Sequence, residues 1–395
     1  MPHWTMSFIA RQVKKWDVIV IGAGIAGAAL TYALARTGMR VLLLERGKVA
    51  GGASGANMGM ALWVSARSES DLTWAVQGFQ RLATLERELE ADFNYRLLPS
   101  LVLAPDEAAF TGLQAQAARL SQAGLPAGLV EAAEIADLEP ALHPNWLEHG
   151  ALYGQQGHTD GALLTTAYTQ AARRQGAEVW EHVSVSGFEV EQGRVKAVQT
   201  TQGTLLAGQV VLAAGAWTRS LAALAGVDLP IYYIQGEALA TGSLPPTLRG
   251  MVMVARSDGH SALERRVAAA LAGGAVVWEQ WQNETEAQDV SAVQLRGGPI
   301  LLGQISRATP SYQSAPRVQV IERIRREAIR LIPALTDAPI QRSWIAPVPF
   351  TPDQQPLLGP ISGYSNLFGC VGFKSALIMA PPACEMLARQ IETLA

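Results

Sequence analysis

Apolar positions recur along the chain with the spacing of buried strands and helices from residue 17 onwards. Residues 17–21 predict a strand buried on both faces, because a continuous apolar run rich in β-branched side chains follows Asp17. Residues 25–37, rich in alanine and leucine, predict a helix that Gly38 can end, and residues 40–44 predict a second apolar strand. Strand, helix and strand within about 30 residues indicate a right-handed βαβ unit.

The rest of the chain is also predicted to be a mixture of helices and strands. Helices are predicted at residues 71–91, 106–123, 132–138, 160–175 and 318–332, and strands at 97–103, 178–180, 183–191, 195–200, 209–214 and 367–371. Between residues 230 and 346 the pattern is mostly that of strands, interrupted by an alanine-rich stretch at 263–272. The last helix is expected from about Pro381 to Leu394. Because no repeat or low-complexity linker divides the chain, we expect a first domain assembled from separated segments.

A glycine-rich turn follows the first predicted strand. Gly22, Gly24 and Gly27 fit the pattern G-x-G-x-x-G at the junction of a strand and a helix. The first glycine allows a tight turn, the second a close approach of a pyrophosphate, and the third close packing of helix and strand. The backbone N–H groups at the start of the helix, around Ile25 and Ala26, can then bind the diphosphate.

An acidic residue follows at the position that a dinucleotide site requires. Glu45 ends the second predicted strand, where its carboxylate can accept hydrogen bonds from ribose hydroxyl groups. Turn, helix and acid together predict dinucleotide binding, whereas a glycine turn alone would also suit a purely structural junction. The motif does not decide between NAD and FAD.

Composition and charge exclude several classes of protein. Of the 395 residues 49% are hydrophobic and 16% are charged, which excludes a disordered chain. Lys and Arg number 31 against 34 Asp and Glu, a net charge of −3 without a basic block, so no nucleic acid partner is expected. Cys370 and Cys384 cannot form a disulfide framework and lack metal-site spacing, so no metal is expected and a reducing, cytoplasmic location is predicted.

Membrane and export signals are not expected either. The longest apolar stretches, such as residues 16–25 and 210–217, are shorter than the ~20 residues that a membrane-spanning helix requires. Residues 1–16 have their basic side chains after the few apolar ones, the reverse of the order in a secretory signal. We therefore expect residues 1–15 to form a short surface extension.

A second glycine-rich segment suggests which dinucleotide is bound. Residues 51–59 read Gly-Gly-Ala-Ser-Gly-Ala-Asn-Met-Gly, small enough for the backbone to approach a flat, extended ligand. With this segment the chain resembles the D-amino-acid oxidase family of FAD proteins, in its glycine oxidase and sarcosine oxidase branch. Three further stretches resemble the same family: residues 210–217, the T-P-D-x-x-P-x-x-G pattern at 351–359, and residues 368–381.

The resemblance implies an α/β fold with two domains. A Rossmann-like FAD-binding domain of the glutathione-reductase type would comprise residues 16–90, 150–225 and 340–395. An interleaved substrate domain, built on a mixed and largely antiparallel sheet, would comprise residues 91–149 and 226–339. Residues 251–292 match the family least, and we expect their Ala- and Glu-rich middle to be a branch-specific insertion.

The resemblance also assigns residues to the FAD site. They are Gly22, Gly24, Ile25, Ala26, Gly27, Glu45, Arg46, Ala53, Ser54, Asn57, Met58, Gly59, Met60, Val185, Ala214, Gly215, Trp217, Gly372, Phe373, Lys374, Ser375 and Ala376. Non-covalent attachment is expected, because Ala346 and Gly161 stand where covalently flavinylated relatives have cysteine and histidine.

Members of this family oxidise a C–N bond of an amine or amino acid, passing hydride to flavin N5 and leaving an imine that hydrolyses. The resemblance implies catalytic roles for Gly372, near the flavin N1/O2 edge, and for Lys374. Tyr233, Trp344, Val348 and Lys374 are the expected substrate contacts. Arg256, His260 and Arg307 are weaker candidates for binding a carboxylate.

The chain departs from the glycine oxidase pattern at two substrate-binding arginines. Val348 stands at one of these positions, so the bidentate contact of an arginine with a carboxylate is lost there. Lys374 stands at the other, where the point charge of an ammonium group replaces the guanidinium group. The Gly-Phe-Lys triplet at 372–374 is more similar to the β subunit of heteromeric sarcosine oxidases and related dehydrogenases. Lys374 itself is interpreted as a cation near the flavin, with a surface lysine or a structural ion pair as alternatives.

Three hypotheses about the function follow from the sequence. The leading one is an FAD-dependent oxidoreductase, either an oxidase that uses O2 or the catalytic β subunit of a heteromeric amino-acid, opine or proline-type dehydrogenase. The second is a non-catalytic FAD-binding subunit of such a complex, since the usual arginines are absent. The third is an NAD(P)-binding protein with an unrelated Rossmann unit.

Overall fold

A computed structural model describes residues 15–66, 68–146, 148–274, 276–282 and 285–394. The predicted N-terminal extension lies outside these residues, apart from Lys15, which begins the first strand. In chain order the strands are β1 (Lys15–Ile21), β2 (Val41–Leu44), β3 (Met60–Ala61), β4 (Arg96–Leu103), β5 (Ala127–Val130), β6 (Ala151–His158), β7 (Glu178–Trp180), β8 (Val185–Glu191), β9 (Arg194–Thr200), β10 (Gly203–Leu212), β11 (Tyr232–Thr241), β12 (Met251–Val254), β13 (Glu286–Gln294), β14 (Ile300–Ala308), β15 (Ile340–Phe350), β16 (Leu357–Pro360) and β17 (Leu367–Val371). The helices are α1 (Ile25–Ala35), α2 (Glu69–Glu88), α3 (Glu107–Gln122), α4 (Ala132–Leu138), α5 (Gly161–Arg174), α6 (Thr218–Ala223), α7 (His260–Ala272), α8 (Val318–Leu331) and α9 (Ala376–Glu392).

The first sheet has the strand order β16-β17-β10-β1-β2-β7, with β9 attached to β10 and β8 attached to β9. Its central strands β17, β10, β1, β2 and β7 are parallel. Parallel strands are covered on both faces, which explains the uninterrupted apolar runs of β1 and β2. Helix α1 is buried along almost its whole length between this sheet and helices α5 and α9. The predicted βαβ unit is therefore present at residues 15–44.

The second sheet has the order β15-β11-β14-β13-β12-β4-β6-β3, with β5 attached to β6. Among the described strands, β4 and β12 form its one parallel pair, and the other pairs are antiparallel. Helix α8 packs on one face through Val320, Ile321 and Ile324, which join the apolar core of β12, β13 and β14. The predicted mixed, largely antiparallel sheet is present.

Strand pairing shows which of the predicted domain segments contribute strands to the second sheet. Strands β6 and β15 were assigned with residues 150–225 and 340–395 to the FAD-binding domain, but both hydrogen-bond within the second sheet. The short strand β3, within the predicted 16–90 segment, pairs with β6 in the same sheet. Local sequence does not reveal this pairing, because the sheet that a strand joins depends on its partners elsewhere in the chain.

Residues 251–292, which match the family least, contribute to the second sheet at both ends. Strand β12 pairs with β4 and β13, and β13 pairs with β14. Helix α7 lies between them, so an insertion can account only for the middle of this segment.

The start of the last helix also differs from the prediction. Helix α9 begins at Ala376, five residues before Pro381, and includes both Pro381 and Pro382. Prolines at these positions cannot donate to the carbonyl groups of Leu377 and Ile378. A Cβ on Gly78 would lie 2.0 Å from the Ile378 carbonyl oxygen, so helix α2 packs closely on this part of α9 only because residue 78 is glycine. Tertiary packing thus accommodates two prolines that by sequence alone favoured a helix start.

The described helices include no segment with the length and apolar character required to cross a membrane.

Candidate active site at the carboxyl ends of the parallel strands

The turns that follow four parallel strands of the first sheet lie at one edge. Gly22 follows β1, Glu45 follows β2, Gly215 follows β10 and Gly372 follows β17. Parallel strands present their carboxyl ends on the same edge, where α/β sheets bind their ligands. These four predicted cofactor residues are far apart in the sequence, and the sheet order brings them to one edge.

The first glycine turn has no room for larger side chains. Gly22 has φ +108°, and a Cβ on Gly27 would lie 1.9 Å from the Gly22 carbonyl oxygen. The turn thus depends on glycine at both positions, which supports the steric roles predicted from the motif.

The N-terminus of α1 is arranged to bind an anion. Gly24 occupies the N-cap position without a capping side chain, and the first turn contains no acidic residue. The Ile25 amide donates to Ser54 Oγ at 2.9 Å, which links the first glycine turn to the 51–59 loop. Backbone N–H groups and the helix dipole favour a diphosphate at this position.

The Glu45 carboxylate is held by backbone N–H groups. One oxygen accepts from Ala23 at 2.9 Å and the other from Gly47 at 2.8 Å. Each carboxylate oxygen keeps a second lone pair, so the group can still accept from a ribose hydroxyl. Next to it, the Arg46 guanidinium stacks over the Trp217 ring at 4.1 Å. These contacts bring Glu45, Arg46 and Trp217 together, as a nucleotide site would require.

The 51–59 loop connects the two sheets. The indole nitrogen of Trp344 in β15 donates to the Ala56 carbonyl oxygen at 2.7 Å. Asn57 Oδ1 accepts from the Gly59 amide at 2.7 Å, and Met60 then begins β3. A Cβ on Gly161, at the start of α5, would lie 2.4 Å from the Ser54 carbonyl oxygen. This close packing fixes the loop between the sheets.

One face of the second sheet forms a wall opposite this edge. Along β11 it is formed by Ile234, Gly236 and Ala238, which pair with Val348, Ala346 and Trp344 of β15. Paired residues of antiparallel strands share a face. Small residues, Gly236 and Ala346, occupy the middle of the wall. Tyr233 is on the alternate face of β11, with its hydroxyl bonded to the Pro310 carbonyl group, so the structure does not bring this predicted substrate contact together with Trp344 and Val348.

The turn between β17 and α9 closes the site on a third side. Gly372 has φ +91°, a conformation that favours glycine. The Phe373 ring packs edge-on against Trp74. Ser375 is the N-cap of α9, and its Oγ accepts from the Leu62 amide at 2.9 Å. Ala376 begins the helix, so its N-terminus lies four residues from Gly372.

Lys374 projects from this turn into a polar cluster. Its Nζ lies 2.9 Å from Glu264 Oε2 and 5.6 Å from the centre of the Phe350 ring. The side chains of Lys374 and Glu264 are 19% and 3% exposed, so the interpretation as a surface lysine is wrong. Sequence reasoning missed Glu264, because its helix α7 belongs to the segment with the weakest family resemblance.

His260 extends the cluster onto the second sheet. Its Nδ1 lies 2.9 Å from Ser306 Oγ, and its Nε2 lies 3.8 Å from Glu264 Oε2. Of the other two weak candidates for a carboxylate contact, Arg256 pairs with Asp258, and Arg307 lies on the opposite face of β14 from Ser306.

Two further predicted cofactor positions lie at the margin of these contacts. Val185 begins β8. Two residues before it, the Val183 amide donates to the Glu45 carbonyl oxygen at 2.9 Å. Met58 lies against Gly303 of β14, and a Cβ on Gly303 would be 2.7 Å from the sulfur of Met58.

A buried histidine lies beside the loop as well. His158 ends β6, and its Nε2 would lie 2.8 Å from a Cβ on Gly59. Burial, together with the positive charge of Arg96, lowers the pKa of His158 to about 4. The ring is therefore neutral at pH 7.

The donor set at this edge suits FAD. A glycine turn at a helix N-terminus, a carboxylate at the end of β2 and a small-residue loop match its diphosphate, its ribose and its extended shape. A family model described as FAD-dependent oxidoreductase (DAO) matches residues 17–390. The chain belongs to the DAO family of FAD-dependent oxidoreductases. The predicted family, α/β fold and FAD cofactor are thereby confirmed.

Members of the DAO family with curated names match along nearly the whole chain. Glycine oxidase of Pseudomonas putida is 25% identical, over 94% of this chain and 93% of that protein. The β subunit of sarcosine oxidase from Rhodobacter capsulatus is 24% identical, over 99% of this chain and 90% of that protein. The crystal structure of glycine oxidase from Geobacillus kaustophilus has the same fold, with a TM-score of 0.82 at 24% identity and coverage of 96% and 95%.

Proposed function

We propose that this DAO-family chain oxidises the C–N bond of an amine or amino acid, with FAD bound at the edge where β1, β2, β10 and β17 end. The names of its relatives, glycine oxidase and sarcosine oxidase subunit beta, support this chemistry. The observation that carries the proposal is the convergence of the Gly22–Gly27 turn, the Gly372 turn and the wall formed by β11 and β15 on one space.

Bound FAD supplies a hydride acceptor and needs no separate acid–base pair from the protein. The residues of this chain orient the reactants. The 22–27 turn, Ser54 and Glu45 would hold the nucleotide half, and the small residues of the wall leave room for a substrate.

The turn between β17 and α9 would stabilise negative charge that develops on the flavin ring. Because α9 begins at Ala376 rather than near Pro381, the positive end of its dipole lies closer to Gly372 than the sequence predicted. Backbone N–H groups of this turn are fixed by the Leu62–Ser375 hydrogen bond, and preorganised donors of this kind stabilise developing charge most effectively.

Non-covalent binding of FAD is part of the proposal. Ala346 has no nucleophilic group, and Cys370 is buried with its Sγ 3.6 Å from that of Cys384. We expect acid precipitation of the purified protein to release the flavin into the supernatant.

The electron acceptor is either O2 or a partner subunit. The match to nearly the whole of a sarcosine oxidase β subunit supports a heteromer, and the match to glycine oxidase supports an oxidase.

Anaerobic reduction followed by admission of air tests the proposal. The purified yellow protein is mixed with a panel of primary and secondary amines and amino acids, and flavin absorbance is followed. Bleaching by at least one compound is expected; rapid reoxidation with peroxide then indicates an oxidase, and slow reoxidation a partner-dependent dehydrogenase. If no compound bleaches the flavin, with or without proteins encoded by neighbouring genes, the chain is a non-catalytic FAD-binding subunit and the proposal is wrong.

A further inference from the structure

The ion pair between Lys374 and Glu264 joins two parts of the chain that meet at the candidate active site. Lys374 lies in the turn after β17, and Glu264 lies one turn into α7. Glu264 is among the least exposed carboxylates of the described residues, and its Oε2 lies 2.9 Å from the Lys374 ammonium group.

Several contacts hold α7 against the second sheet. The His260 amide donates to Asp289 Oδ2 at 3.0 Å, and the Tyr232 hydroxyl donates to the Glu264 carbonyl oxygen at 3.2 Å. Leu263 packs in the same apolar cluster as Tyr232 and Phe350 of the wall. The position of Glu264 in α7 is therefore fixed by contacts of this helix with the second sheet and not only by its attraction to Lys374.

This fixed carboxylate changes what Lys374 can bind. A substrate carboxylate placed against the Lys374 ammonium group would lie within a few ångströms of the Glu264 carboxylate. In a site of low dielectric, like charges at such a separation repel strongly, and the ammonium group is already paired. The other family position for a carboxylate contact is Val348, which has no charge.

We propose that Glu264 is a specificity-determining residue, which neutralises Lys374 and directs the site towards amines whose substituent beside Lys374 carries no negative charge. The inference rests on the proposed function and narrows its substrate class: amines with a neutral or cationic substituent are preferred to free α-amino acids.

Binding of two small isosteric probes tests the charge preference in the wild-type flavoprotein. Acetate and acetamide have nearly the same shape and differ in charge. Titration of each, followed by perturbation of the flavin absorbance, is expected to give acetamide a Kd no higher than that of acetate. Acetate binding at least about tenfold more tightly than acetamide would overturn the proposal.

Variants then assign the preference to Glu264. E264Q is expected to bind acetate at least about tenfold more tightly than the wild type, and the double variant E264Q/K374M is expected to lose that gain. E279Q is the matched control, because Glu279 lies in the same segment but pairs with Arg219 at an exposed position. If E264Q binds acetate no more tightly than the wild type, or fails to fold while the wild type prefers acetate, the inference is wrong.

Turnover separates this inference from the proposed function. For E264Q, the ratio of kcat/KM for an N-methyl amino acid to that for an N-methylalkylamine is expected to rise about tenfold or more. If no amine reduces the flavin while the acetate and acetamide titrations behave as expected, the proposed function fails and the charge role of Glu264 is retained.

Discussion

The indole nitrogen of Trp344 lies 2.7 Å from the carbonyl oxygen of Ala56 and donates a hydrogen bond to it. This bond connects β15 of the second sheet to the loop that the first sheet extends towards the cofactor. It joins the loop directly to β15, so its loss is expected to affect the loop more than either sheet.

Replacing Trp344 with Phe tests this connection. W344F keeps most of the ring but removes the donor, and we expect a loss of about 1 kcal/mol in local stability. Hydrogen exchange of residues 51–59 should become about fivefold faster. W146F is the control, since its indole also donates to a carbonyl group, that of Arg330, far from the loop. Equal exchange rates in W344F and the wild type would contradict the assigned role.

Glu45 is expected to contribute directly to FAD affinity. E45A removes the carboxylate that faces the ribose position and also leaves the Ala23 and Gly47 amides without their acceptor. We expect the Kd of FAD for the apoprotein to rise at least about tenfold, measured by calorimetry. E191Q, a surface carboxylate of β8 paired with Lys196, should leave the Kd unchanged.

The third glycine of the turn is expected to tolerate no side chain. In G27A the new Cβ would lie 1.9 Å from the Gly22 carbonyl oxygen, so the strand–helix junction must shift. We expect loss of bound flavin and a fall of at least about 2 kcal/mol in the free energy of unfolding. G112A is the matched control: Gly112 lies in α3 with open space around it, and alanine there should be neutral or stabilising by up to about 1 kcal/mol. A G27A variant that binds FAD as the wild type does would show that the turn is not packed as described.

His158 is expected to make stability depend on pH below neutrality. The unfolded chain binds a proton at this histidine near pH 6.5, whereas the folded chain binds it only near pH 4, because burial lowers the pKa. Stability should therefore be unaffected above about pH 6.5 and fall by roughly 3 kcal/mol as the pH decreases from 6.5 to 4.

Urea unfolding at a series of pH values measures this dependence. H158Q should have a shallower slope than the wild type between pH 6.5 and 4, while H182N, at an exposed position with positive φ, should keep the wild-type slope. The same slope in H158Q and the wild type would rule out the buried neutral ring as its cause.

Local sequence patterns were sufficient to predict the first βαβ unit, because its structure is determined by residues close together in the sequence. The apolar runs of β1 and β2, the helix α1 and the glycines between them lie within 30 residues, and their structure follows from side-chain size and periodicity. The family resemblance then indicated FAD and identified the turn at Gly372.

The features that the sequence did not reveal depend on contacts between distant segments. Helix α9 begins before two prolines, and its close packing on α2 at the Ile378 carbonyl group requires glycine at position 78. Tyr233 is on the alternate face because the register of β11 with β15 sets its orientation. Glu264 lies 110 residues from Lys374, and only the folded position of α7 shows that they form a pair.

The chain passes four times between the two sheets, since β3–β6 and β11–β15 form the second sheet while the strands before, between and after them form the first. Neither sheet is therefore encoded by a continuous stretch that could be expressed alone. A truncation before β16 would leave the edge of β10 without its neighbour β17, and an unpaired apolar strand edge of this kind promotes aggregation. The roles of the two sheets are therefore better studied with point variants of the full chain than with isolated domains.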